Sequence, residues 1–463
     1  MISLRKFVDS ARAELPAPIL ARRASILFSL SVLTMLLSLA ASQALLFLAA
    51  AVYALHLLRD RPTMRFLPVK LPLALFIFFT VLSIYWATNP VVGWFAVRKL
   101  ALFLIWLLAV NLIASVRHLR MLMQALFLEA AVAGTVGIVQ FILQFREVRA
   151  LHPGRFYLYM ISTRIHGLMG HWMNFGGQEM LVFAVLLAFL LLSPRSGTRD
   201  SGIGNRGSGV GSGVSGVGSG EPEIVERSAK EAVLPPESRV PSPESRLWWI
   251  VMAVVALAIA LNFTRGVWLG CFVATFYLVA RWKARWLWAL PVLVAISYLA
   301  SPSLVRHRVW LAFHPTQDPA LSIRLEMWGV GLRMMRAHPL VGVGPNNIVE
   351  VYALYLPPGR SPEAGFHEHM HNDFMQFGAE RGLPCLAAWV WLMAALGWHI
   401  WRARRRIRAQ RWVADGAFAA WLAILAEGCF EFNFGTSPVL MVFLFATAAP
   451  FVAGRIERRQ ENA

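Results

Sequence analysis

The chain has 463 residues, 57% hydrophobic and only 15% charged, where soluble proteins carry about a quarter charged residues; this excludes an ordinary soluble fold. Its formal charge of +19 sits in short clusters between apolar runs, which excludes a nucleic-acid surface and marks the clusters as topology signals. Cys271, Cys385 and Cys429 lie far apart in or beside apolar segments and form neither a disulfide framework nor a metal cluster.

A helix that crosses a hydrocarbon core about 30 Å thick needs about twenty mainly apolar residues. That measure predicts an all-α polytopic transmembrane bundle of about twelve spans, near 24–41, 43–58, 70–87, 98–114, 120–144, 176–192, 247–264, 266–281, 286–301, 382–401, 411–430 and 436–453. Arg5, Lys6, Arg12, Arg22 and Arg23 precede the first apolar run, as in a signal peptide. No convincing cleavage site follows, and the run continues to about Leu58, so it is read as an uncleaved helical hairpin. With the N-terminus inside, the clusters Arg59/Arg61/Arg65/Lys70, Arg117/Arg120, Arg281/Lys283/Arg285, Arg402–Arg411 and Arg455/Arg458/Arg459 all fall in the cytoplasm. Arg98/Lys99 is the small exception. Both termini are then cytoplasmic.

Two stretches break the apolar rhythm. Residues 193–246 are rich in Gly, Ser and Pro, lack periodicity and cannot bury enough surface to offset the entropy of ordering. They are expected to form a disordered cytoplasmic linker between an N-terminal half, 1–192, and a C-terminal half, 247–463. Residues 302–381 lie on the opposite side of the membrane and are long enough for a partly helical loop subdomain. SIRLEMWGVGLRMMRAHP has helical spacing, VGVGPNN is a stop, and a second helix starts near His371.

This outside loop holds Arg306, Arg308, Arg324, Arg333, Arg336, Arg360 and Arg381 against the topological bias. A solvated surface accounts for Arg306, Arg308 and Arg360, whereas Arg324 opens an amphipathic helix beside the membrane, where a guanidinium would suit a phosphate. Arg265, in NFTRGVWLG, sits at the outer junction of two apolar helices; it marks a functional cavity or snorkels to lipid head groups. FHEHMHNDFMQF concentrates His367, Glu368, His369, His371, Asn372, Asp373 and Gln376. Three alternating histidines raise a zinc site, but alternation scatters the rings unless the segment is extended. A single histidine acting as general base is more economical, and a helix-capping or solvated cluster is the bland alternative. The loop between the fifth and sixth spans carries Arg149, His152, Arg155, Tyr157, Arg164, His166 and His171, a sugar- or phosphate-holding mixture or an interfacial aromatic belt, with Arg164 favoured among its neighbours. DxD, P-loop and GxSxG patterns are absent, so neither metal-assisted use of a nucleotide sugar nor ATP hydrolysis is supported.

The ordered series RIHGLMGHWMNFGG, TRGVWLG, SIRLEMWGVGLRMMRAHPLVGVGPNN and HMHNDFMQFGAERGLPCL resembles the bacterial O-antigen ligase and polymerase superfamily over about residues 70–450. The most specific part is His371–Asn372 followed by Gly382; Cys385 departs from the family pattern at a position suited to helix packing. The resemblance implies transfer of a glycan from an undecaprenyl-diphosphate carrier to an acceptor, lipid A core or another repeat unit, on the periplasmic face of the inner membrane. It implies His371 as the essential histidine and Arg265 and Arg324 as holders of the diphosphate; the reading of the residues adds Arg164 to the diphosphate holders and Asn372, His369 and Gln376 in support, with no cofactor or metal expected. The alternatives are a repeat-unit polymerase and, from another class, a lipid-linked glycan transporter. Transporters place polar residues near the bilayer midplane. Here the spans hold few charges, chiefly Glu129 and Glu427, and polarity collects in the outside loops.

Overall fold

The structure is a computed structural model and describes residues 15–193, 243–362, 368–407 and 410–461. The expected linker falls mostly outside these residues; where the chain resumes, Pro243–Arg246 already form the first turn of a helix. The described residues contain helices and no strand.

In chain order the α-helices are α1 (Ile19–Val32), α2 (Leu39–Asp60), α3 (Lys70–Tyr85), α4 (Pro90–Leu112, with a central 3-10 stretch) and α5 (Val116–Leu151). They continue with α6 (Phe156–Ser162), α7 (Trp172–Leu192), α8 (Pro243–Leu261), α9 (Arg265–Lys283), α10 (Ala289–Ala300) and α11 (Ser303–Phe313). The last are α12 (Pro319–Ala337), α13 (Ile348–Val351), α14 (Asp373–Arg406), α15 (Arg411–Gly428) and α16 (Ser437–Glu461). Six of them, α2, α4, α5, α7, α14 and α16, are long and apolar enough to cross a membrane, and three shorter apolar helices accompany them in α3, α8 and α10. The expected segments 24–41, 266–281 and 411–430 fall on α1, α9 and α15, outside both groups. The first expected boundary also moves: α1 stops at Val32, and the Ser38 side chain caps α2 by accepting from the Ala41 amide.

Burial grades the bundle. α7 and α16 are buried along most of their length and form its centre, whereas α10 leaves Val292, Leu293, Ile296 and Leu299 exposed, the surface a lipid phase would cover. Two clusters of polar contacts define the ends. At one, called here the upper end, Asn89 meets Asn347, Lys99 reaches Gly435 O, and Asn262 donates to Ile165 O and Trp172 O. At the lower end Arg455 donates to Ile113 O, Asn111 donates to Arg65 O, and Arg404 meets Asp415 at 2.5 Å.

α14 runs the length of the bundle and is broken at Gly382, where φ is +80°. A Cβ there would collide with the backbone of Leu340, because the segment after α12 lies against the break: Leu383 N donates to Pro339 O, Val343 N to Ala379 O and Gly344 N to Glu380 O. This docking closes a small second core of Met327, Val330, Met334, Val343, Ile348, Tyr352 and Met370 above the main one. Cys385, just past the break, is fully buried with its Sγ 3.5 Å from Thr80 Oγ1, a packing position as its sequence setting suggested.

Candidate active site

The segment FEFNF between α15 and α16 alternates aromatic and polar side chains. Phe432 and Phe434 pack on Phe377, and Phe434 also on Trp389. Alternation turns Glu431 and Asn433 the other way, where Asn433 donates to Glu427 and Glu431 enters a group of cationic side chains. Glu431 is 1% exposed. Its Oε1 accepts from Arg324 Nη2 at 2.5 Å and its Oε2 pairs with His371 Nδ1 at 2.9 Å. Burial alone would raise this carboxyl, but the Arg324 charge and the His371 hydrogen bond outweigh it and hold Glu431 at about 2. An ionised carboxylate facing Nδ1 selects the tautomer with the proton on Nδ1, leaving the Nε2 lone pair as the basic atom of His371.

The local chain explains how these groups meet. Met327, Val330 and Met334 bury one face of α12, and Arg324, one turn ahead of Met327, emerges on that side toward Glu431. His371 has φ +46°, a left-handed conformation that costs a non-glycine residue about 1–2 kcal/mol. It is fixed from both sides. Gln376 Oε1 accepts from Met370 N at 2.7 Å and Trp328 Nε1 donates to Met370 O, while Asn372 caps α14 through Met375 N and donates to Cys429 O at 2.8 Å. Asn372 and Gln376 therefore shape the turn, and the Asn372 bond ties it to the chain that carries Glu431.

Around this bridge stand more arginines. Arg265 opens α9 and pairs with buried Asp318. Gly266, beside it, leaves the space that Glu427 and Glu431 occupy, since a Cβ would lie 3.2 Å and 3.3 Å from their Cγ atoms. Arg164 stacks over the Trp172 ring at 3.7 Å and donates to Ile161 O. Burial lowers it to about 9, followed by the charges of Arg308, Arg324 and Arg265 with only Glu431 opposing, so the four guanidiniums share one electrostatic neighbourhood. Arg308 is itself lowered, by burial and then by Arg265. Four cations thus meet the carboxylates of Asp318 and Glu431, and the excess positive charge suits an anionic ligand.

His369 is not an alternative base. Burial, then the neighbouring His371 whose ring centroid is 4.2 Å away, pushes it down to about 3, and it stays neutral. His171 caps α7 by accepting from Met173 N, and burial followed by Arg164 lowers it as well. Among the described residues no group of three His, Cys, Asp or Glu is placed to hold a metal ion; His367 lies outside them.

The structure therefore brings together His371, Arg324, Arg265 and Arg164 and places Asn372, Gln376 and His369 around the His371 turn. Sequence reasoning missed Glu431 and Asp318 and assigned Arg308 to a solvated surface, although Arg308 is buried and its Nε donates to Phe263 O. Comparison with known proteins now identifies the region that carries most of this geometry: residues 250–390 match the family model for O-antigen ligase. That stretch is similar to the O-antigen ligase family. No curated protein matches the chain. The ligase-type region contributes Arg265, Arg308, Asp318, Arg324 and His371, while Arg164 and Glu431 reach the site from outside it. With its long apolar helices, the chain is an integral membrane protein with an O-antigen ligase-type region.

Proposed function

We propose that this protein is a metal-independent, inverting glycosyltransferase that moves a glycan from an undecaprenyl-diphosphate carrier to a hydroxyl of lipid A core at the periplasmic face of the inner membrane. The observation that carries this reading is Glu431, one buried carboxylate joined to a histidine that can accept a proton and to an arginine that can hold a phosphate. His371 Nε2 removes the proton of the acceptor hydroxyl, whose oxygen bonds to the anomeric carbon as the bond from that carbon to the diphosphate oxygen breaks. The leaving diphosphate keeps the electron pair, and Arg324, Arg265, Arg164 and Arg308 neutralise its growing charge. Attack opposite the leaving group inverts the anomeric centre.

The bundle is read as crossing the bilayer about twelve times, with the shorter helices α1, α3, α8, α9, α10 and α15 completing the set. The basic residues of the lower end support the orientation, since they gather opposite the site. The test uses membranes supplied with the carrier-linked donor and lipid A core. His371→Ala is expected to abolish attachment at unchanged protein level, and undiminished transfer would remove His371 from the mechanism. Product length separates the polymerase alternative, because a polymerase lengthens carrier-linked glycan in the absence of lipid A core.

A further inference from the structure

At the lower end, away from the site, a cavity of about 610 Å³ is ringed by Arg65, Lys70, Arg402, Arg406, Arg455 and Arg458. These cations come from three separate stretches: the connection between α2 and α3 with the first residue of α3, the end of α14 and the end of α16. Among the described residues lining the cavity there is no Asp or Glu. Neighbouring acids are engaged elsewhere: Asp415 with Arg404, and Glu457 accepting from Gln410 N. Orientation in a membrane needs basic residues on one side of it, but it does not need them to converge on one hollow, where each raises the cost of the next. Arg65 shows that cost, being lowered by burial and then by the charges of Arg459 and Arg458. The floor is not polar: Phe66, Val110, Ile407 and Phe451 line it, and Phe66 and nearby Trp398 are exposed at the flank, where an aromatic belt would sit.

We propose that this cavity binds an anionic phospholipid, its phosphodiester head group held by the arginines and its acyl chains leaving over Phe66 and Phe451. A ring of cations answers the phosphate, and the apolar floor at the end of membrane-length helices answers the chains, which a free phosphate compound lacks.

The test uses the purified full-length protein in detergent, melted with dioleoylphosphatidylglycerol or with dioleoylphosphatidylcholine. Phosphatidylglycerol is expected to raise the melting temperature and phosphatidylcholine to leave it unchanged. The variant Arg402→Gln/Arg406→Gln/Arg458→Gln, all exposed positions, is expected to keep the melting temperature measured in phosphatidylcholine and to bind phosphatidylglycerol about tenfold more weakly or worse. Equal shifts from both lipids would overturn the proposal. So would a full shift in the variant, which would place the lipid at the arginines of the upper end, or an equal shift from inorganic pyrophosphate, which would make the ligand a free phosphate compound. A photoreactive phosphatidylglycerol on the unaltered protein gives a second measurement that does not depend on the variant folding. Adducts are expected within 64–70, 399–407 and 450–458, and adducts confined to other residues would refute the site.

Discussion

Glu431 gives the residue scale its clearest consequence. In Glu431→Gln the side chain still fits but no longer carries the charge that fixes the His371 tautomer and steadies Arg324. Transfer is expected to fall about 10- to 100-fold with the protein still present in membranes, read as product per unit of enzyme. His371→Ala removes the proposed base and is expected to cost about 10²- to 10⁴-fold in the same assay. His369 makes a different prediction, on stability. Its folded value of about 3 lies below the ordinary 6.5, so as pH falls below 6.5 the unfolded chain takes up a proton that the folded chain refuses. Stability is therefore lost progressively from pH 6.5 down to about 3, and His369→Asn is expected to flatten that part of a melting-temperature profile.

At the scale of elements, α14 joins fold to site through its break. Gly382→Ala would force a Cβ into the Leu340 backbone at a positive φ, and the segment docked there also supports the turn that ends in His371. We expect a loss of about 1–3 kcal/mol in stability together with reduced transfer, measured by thermal unfolding and by product formation. Gly382 was legible in the sequence beside His371 and Asn372, as were Arg265 and Arg324, because each sits in a compact local motif. The amphipathic helix α12 was legible too, since its apolar spacing is local. Glu431 was not. It lies 60 residues from His371 and 107 from Arg324, and nothing in local periodicity encodes that meeting. The signal available was an acidic residue in a short aromatic connection between two apolar helices, where an isolated charge is costly and calls for a partner. Arg308 was misread for a related reason: it follows Arg306 and His307 in a loop read as solvated, and its burial comes from the packing of α11 against the chain near Phe263.

At the scale of the whole molecule, charge asymmetry predicts what labelling would find. In a variant without native cysteines, Arg360→Cys, at an exposed upper position, is expected to react with an impermeant maleimide added to the periplasmic side. Arg459→Cys, exposed at the lower end, is expected to react only once the inner membrane is opened; the reverse pattern would invert the proposed orientation. The proposed reaction has a consequence in the carboxylate that His371 and Arg324 share. In the proposed reaction, a diphosphate that draws Arg324 toward itself leaves more of the Glu431 charge facing His371. Linkage is mutual: a seated carrier and a proton on His371 favour each other, so loss of the proton and departure of the spent carrier go together. On the proposed reading, the site is then best set to take the proton of an acceptor hydroxyl when the lipid-borne donor is already in place.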